Sequence, residues 1–189
     1  MNTAIRNKVD EFNNTFLQSY GNNFRYSKLL SSIDSTNSAI SGTIAQVYAY
    51  KRQALIPGST SPIDIDFGFQ LLGDVNQAGS FLSSTGWTYN GKTYYLEDKP
   101  IAGDNAKRVI KKYYLNDNNM KVVENASVGF LYPQNGKITL EAQQTDAETF
   151  VDITVITLSY DIPGVENKLL TIDLIKPVIL ADNNLATKN

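Results

Sequence analysis

Gly86-Trp87-Thr88-Tyr89-Asn90-Gly91-Lys92-Thr93-Tyr94-Tyr95-Leu96 decides the fold, because the same residues fit both a phosphate-binding loop and a β-hairpin. The two glycines, the lysine and Thr93 stand where a phosphate loop needs them. Such a loop must lead from a strand into a helix whose first amides meet the anion. Here the residues before Gly91 are strand formers, and Thr93-Tyr94-Tyr95-Leu96 is too rich in aromatic and β-branched residues to begin a helix. Asn90-Gly91, with its tolerance of positive φ at both turn positions, is the strongest short hairpin signal. The stretch therefore reads as two antiparallel strands, and no nucleotide site is expected.

Working outward from the hairpin, the downstream chain is strands and turns. Val109–Leu115 and Met120–Val123 flank Asn116-Asp117-Asn118-Asn119, and Ile138–Leu140, Phe150–Thr157 and Leu169–Leu174 supply further strands. Strands so short and closely spaced predict a sandwich-like arrangement. Upstream, Ile63-Asp64-Ile65-Asp66-Phe67-Gly68-Phe69 alternates apolar with acidic or glycine, as a half-buried antiparallel strand does, and Ile40–Tyr50 reads as a longer strand. The N-terminus is different. Ile5, Val9, Phe12, Phe16 and Tyr20 recur at three and four, predicting a helix over 4–20 that Gly21 ends. A second helix is expected over 27–34, with Ser27 as its N-cap and Leu29, Leu30 and Ile33 as its apolar side. The expected class is α+β: N-terminal helices with a small sheet over 1–75, then a mainly antiparallel, β-sandwich-like dimerisation region over 76–189. The tail from Ala181 to Asn189 is polar and expected to be loose.

The 189 residues, 42% of them hydrophobic, can bury a core. A formal charge of -2 with scattered basic residues offers no footprint for nucleic acid or an anionic membrane. The longest apolar runs, such as Ile153–Leu158, are strand-length, and the N-terminus lacks a signal-peptide pattern, so a soluble, unsecreted chain is expected. Cysteine and histidine are both absent from the sequence. Disulfides, thiolate nucleophiles, Cys/His zinc sites and histidine triads are thereby excluded. A carboxylate-only hydrolase needs just two acids. Asp64 with Asp66, or Glu141 with Asp146 and Glu148, could supply them, but alternating surface positions and a polar loop over Gln143–Thr149 explain these acids better. Catalysis, metals and cofactors are not expected.

The remaining motifs have plain explanations. Asp66-Phe67-Gly68 spells a kinase tripeptide inside a strand, and the rest of a kinase is missing. Asn13-Asn14-Thr15 and Asn125-Ala126-Ser127 match a glycosylation pattern that matters only for a secreted protein. Lys107, Arg108, Lys111 and Lys112 fall on alternate faces of a strand and read as guards of an exposed edge. Trp87, Tyr89, Tyr94 and Tyr95 crowd one hairpin. They could pack a core, form a protein hot spot or stack on a carbohydrate. Together with Val47 and Tyr48 on the preceding long strand, they are the interface candidates.

Three stretches resemble the C-terminal part of the large baseplate-wedge subunit of T4-type contractile-tailed phages, within the family of J-like baseplate proteins. The first is Val9–Ile44, with Phe24-Arg25-Tyr26-Ser27, Ile33-Asp34 and Ser38-Ala39-Ile40; the second is Gly86–Asp98. The third runs through Gly129-Phe130-Leu131-Tyr132, Asn135-Gly136-Lys137-Ile138, Ile153-Thr154-Val155, Tyr160-Asp161-Ile162 and Asn167–Asp173. The chain departs from the family pattern near Thr157-Leu158, where the family has proline and asparagine, and near Glu166, where it has a basic residue. The resemblance implies a C-terminal fragment or a short relative with a scaffold role in the virion tail baseplate, assembled in the host cytoplasm. Its implied partners are a second copy of itself, the other wedge subunits and the sheath-initiating subunit, with no cofactor. A receptor- or carbohydrate-binding tail module using the aromatic hairpin is the alternative.

Overall fold

The computed structural model describes residues 2–38, 40, 43, 45–73, 78–164 and 169–173. It divides into two compact units, 1–46 with 160–189, and 47–159. The boundary expected near residue 75 is not where this division falls, because the strand over 63–66 is hydrogen-bonded into the sheet that continues beyond it.

In the first unit α1 (Asn2–Phe12) runs into a single π-helical turn (Asn13–Leu17), and α2 (Tyr26–Asp34) follows. The extra residue of a π turn rotates the side chains after it. Val9 and Phe12 are buried as their spacing predicts, but the buried positions then become Asn13 and Leu17, while Phe16 is half-buried and Tyr20 is exposed. Asn13 uses its burial: its Oδ1 accepts hydrogen bonds from the Thr171 hydroxyl at 3.2 Å and the Ile172 amide at 3.0 Å. The segment 169–173 is thus irregular backbone held by a side chain, where a strand over Leu169–Leu174 is expected; Leu174 and the tail from Ala181 lie outside the described residues.

The N-cap of α2 is Arg25, not Ser27, and it makes no side-chain cap bond of its own. Asp161 serves instead, accepting from the Tyr26 amide at 2.8 Å and from the Arg25 guanidinium at 3.0 Å. The Tyr26 amide first, and Arg25 after it, hold the Asp161 carboxyl below its ordinary range. A carboxyl depressed on folding stabilises above its unfolded pKa, and that contribution is lost as pH falls through the folded value. Acidification is therefore expected to loosen α2 in the wild-type chain, and Asp161→Asn to remove that part of the pH dependence, as helical circular dichroism across a pH series would read.

The second unit is one mainly antiparallel sheet of nine strands among the described residues: β1 (Tyr48–Leu55), β2 (Ile63–Asp66), β3 (Leu82–Ser84), β4 (Trp87–Tyr89), β5 (Lys92–Pro100), β6 (Arg108–Leu115), β7 (Lys121–Tyr132), β8 (Lys137–Leu140) and β9 (Thr149–Ile156). The order is β1-β9-β3-β5-β6-β7-β8-β2, with β4 also paired to β5. This is α+β as expected, but the sandwich-like region is a single sheet curled nearly into a barrel. Every strand contributes to one cluster, which includes Leu55, Ile65, Leu82, Trp87, Leu96, Ile110, Leu131, Ile138 and Val151. Lys51 of β1 donates to the Asp66 carbonyl of β2 and lies 5.7 Å from the Phe67 ring centre, linking the sheet's two end strands.

Strand limits follow from local chemistry. β2 stops at Asp66 because its carboxylate accepts the Gly68 amide at 2.8 Å and Gly68 turns to φ 78°. The strand expected over Ile40–Tyr50 begins at Tyr48 and runs on to Leu55; of the residues before it, 41, 42 and 44 lie outside the described set. Lys51, Arg52 and Gln53 do not end it, since Arg52 points to Asp152 across the ladder at 2.9 Å. Between β7 and β8 the backbones close tightly: a Cβ on Gly129 would sit 2.9 Å from the Leu140 Cα.

Candidate interaction surface

The Asn90-Gly91 turn, at φ 50° and 72°, sets the hairpin register as Trp87 opposite Tyr94, Thr88 opposite Thr93 and Tyr89 opposite Lys92. Thr93 is followed by strand, so the phosphate-loop match has no helix to serve it. Lys92 instead places its ammonium 4.2 Å from the Tyr114 ring centre.

The candidate aromatics separate by parity. Trp87 and Tyr94 are each only 3% exposed, with ring centres 6.0 Å apart, and Tyr89 packs half-buried against the same cluster. The Trp87 indole donates to the Gln144 carbonyl at 3.0 Å, and the Tyr94 hydroxyl donates to Glu124 at 2.6 Å. Burial, helped by Glu124, pushes the Tyr94 phenol up to about 12. Trp87 and Tyr94 therefore belong to the interior, where neither can meet a partner or a sugar.

Tyr95 points the other way. It stacks on Tyr113 at 5.5 Å, and Gly86 leaves the room it needs, since a Cβ there would lie 2.9 Å from its ring. Beside this stack, burial raises the Glu97 carboxyl, but hydrogen bonds from Lys111 at 2.8 Å and from Lys121 outweigh it and hold the group below its ordinary range. Tyr48, at 59%, is an exposed candidate at the start of β1, and Val47 is half-buried just before it. The six candidates do not form one patch: Trp87 and Tyr94 lie in the core with Tyr89 half-buried against it, Tyr95 is on the outer sheet face, Tyr48 opens the end strand β1 and Val47 just precedes it.

The basic run does not guard an edge, because β6 is paired on both sides. Arg108 is fully buried with Asp98, its Nε donating to that carboxylate while its Nη2 donates to the Gly79 carbonyl. The other Asp98 oxygen accepts the Phe81 and Leu82 amides, each at 2.7 Å, and so fixes β3. Lys107 lies 4.3 Å from the Phe130 ring centre, and Lys112 pairs with Glu124 at 2.9 Å. Nothing in the alternation around Arg108 distinguishes it from the lysines beside it.

The surface that residue reading missed is the far end of the β6–β7 hairpin. Leu115, Met120 and Val123 are 45%, 57% and 43% exposed, and β7 from Lys121 to Ser127 is mostly open to solvent. The adjacent valines Val122-Val123 carried the signal, since neighbouring strand residues face opposite sides and one must point outward. Among the described residues this half of β7 pairs only with β6, since β8 joins it from Gly129 onward, and two register shifts interrupt the β6–β7 ladder between Ile110 and Tyr113.

Asp64, Asp66, Glu141, Asp146 and Glu148 are exposed, and Asp146 is used by the turn, accepting the Asn90 amide at 3.0 Å. Among the described residues no group of acids is arranged to hold a metal ion, and no helix is long and apolar enough to cross a membrane.

Residues 1–52 match the family model of the baseplate structural protein gp6, C-terminal domain III. The match covers the helices of the first unit and enters β1, and it agrees with the resemblance carried by Phe24-Arg25-Tyr26-Ser27 and Ile33-Asp34. The stretches from Gly86 and from Gly129 lie beyond it. This similarity is consistent with the C-terminal part of a T4-type wedge subunit and supports a structural role in a phage tail baseplate. No curated protein matches the chain.

Proposed function

We propose that this chain is a non-catalytic structural subunit of a phage tail baseplate wedge, whose β unit carries self-association and contacts to other wedge subunits. Assembly would take place in the host cytoplasm, beside the other wedge proteins and the sheath-initiating subunit. The observation that carries the reading is the match over residues 1–52 to a baseplate structural domain. The β unit supports it chemically, with its exposed apolar hairpin end and its solvated, scattered acids. Carbohydrate stacking is not favoured, because Trp87 and Tyr94 are interior.

Sedimentation velocity over a wide concentration range tests the self-association. A reversible dimer is the expected result. A strict monomer at every concentration would remove the homodimer from the proposal and leave contacts with other subunits to carry the role.

A further inference from the structure

We infer that two copies of this chain join edge to edge through the outward edge of β7, antiparallel about a two-fold axis at Val122, making one sheet across the dimer. The inference rests on the self-association proposed above and specifies its surface and register.

The geometry begins at the β6–β7 turn. The Asn116 amide donates to the Met120 carbonyl at 3.0 Å, and the ladder then pairs Leu115 with Lys121, Tyr114 with Val122 and Tyr113 with Val123. Hydrogen-bonded and non-bonded pairs alternate in an antiparallel ladder. Tyr114 and Val122 therefore turn their amides and carbonyls toward each other, while those of Lys121 and Val123 point away from β6. Among the described residues no strand lies along that side, because β8 pairs β7 only from Gly129 onward. An exposed edge of this kind is a template for another strand.

Register selects the occupant. With the two-fold axis at Val122, Lys121 of each copy faces Val123 of the other, and all four outward groups of each strand segment find partners. Val122 then meets its own copy in the non-bonded pair, where side chains approach most closely. No like charges oppose one another, as Met120 faces Glu124. Centring on Lys121 or Glu124 would set like charges against each other, which destabilises a sheet pair. Centring on Val123 uses only one of the two residues known to point outward. Lys121 is already paired with Glu97, and Glu124 with Lys112 while it accepts the Tyr94 hydroxyl, so pairing strands an isolated charge on neither side. Met120 and Val123 supply exposed apolar surface beside the join.

The absence of native cysteine makes the test direct. In the full chain, Val122→Cys is expected to form a disulfide-linked dimer under mild oxidation, since opposed Cα atoms of a non-bonded pair lie about 4.5 Å apart, within disulfide reach. Asn125→Cys should stay reduced, because the two thiols would stand about 20 Å apart along the strands. Val123→Pro removes an outward amide and no bond of the β6–β7 ladder, so it should fold normally and raise the dimer dissociation constant about tenfold or more. If the wild-type chain dimerises but Val122→Cys does not cross-link and folded Val123→Pro associates normally, the edge is wrong and self-association stands. A strictly monomeric wild-type chain overturns both.

Discussion

Cutting Trp87 back to alanine is expected to cost the β unit about 3–5 kcal/mol, the usual price of an aromatic cavity in a packed core. The side chain is nearly inaccessible, and its indole amide holds the Gln144 carbonyl. Tyr94→Ala opens the adjoining space and takes the hydroxyl from Glu124. The rings are neighbours at 6.0 Å, so the two losses share a cavity and do not simply add. Domain stabilities are only about 5–15 kcal/mol, and the double variant is expected to be largely unfolded at room temperature. Urea titration followed by tryptophan fluorescence for Tyr94→Ala, and by near-ultraviolet circular dichroism for the variants lacking Trp87, measures this. Wild-type midpoints in both single variants would show that these rings are not core. The hairpin that looked most like a binding surface is chiefly a means of packing the sheet.

Arg108→Met alone is expected to destabilise the β unit by about 3–5 kcal/mol, because it abandons a buried carboxylate. Asp98 would keep the Phe81 and Leu82 amides but lose its buried cation, and the Gly79 carbonyl would lose a donor as well. Asp98→Asn should be milder than Asp98→Ala, since the amide oxygen still accepts from β3. Replacing both partners by apolar residues should recover part of the loss, because paired burial is itself costly to desolvate. Thermal melts of the single and double variants form the cycle that measures the coupling. Equal melting temperatures for Arg108→Met and the wild type would mean that the pair contributes nothing to folding.

Residue patterns revealed those parts of the fold where one local rule dominates. Asn90-Gly91 fixed a hairpin because few other turns accept two positive φ values in succession, and Ile63-Asp64-Ile65-Asp66 showed its faces because one side meets water. Patterns failed where a distant residue intervened. The cap of α2 comes from Asp161, far along the chain, and the face of α1 shifts because Asn13 is drawn in to hold residues 171 and 172. Arg108 looked like its lysine neighbours because burial of a charge depends on Asp98, which the β5–β6 pairing brings diagonally across the ladder, with Arg108 opposite Pro100 and Asp98 opposite Ile110. The candidate surface was half legible: Tyr48 and Tyr95 face outward as an interface would require, but aromatic density pointed to Trp87 and Tyr94, while strand pairing left the aliphatic end of β6–β7 uncovered.

The sheet order also sets a timetable. β5, β6, β7 and β8 follow one another as neighbours joined by short turns, so they can pair as soon as they leave the ribosome. β1 must wait, because among the described residues its only ladder partner is β9, with Arg52 meeting Asp152 a hundred residues later. Closing so long a loop is entropically costly until the meander holds its ends near each other. The earliest-made strand is thus among the last to be secured, and an incomplete chain carries an unpaired β1 until synthesis has passed Ile156.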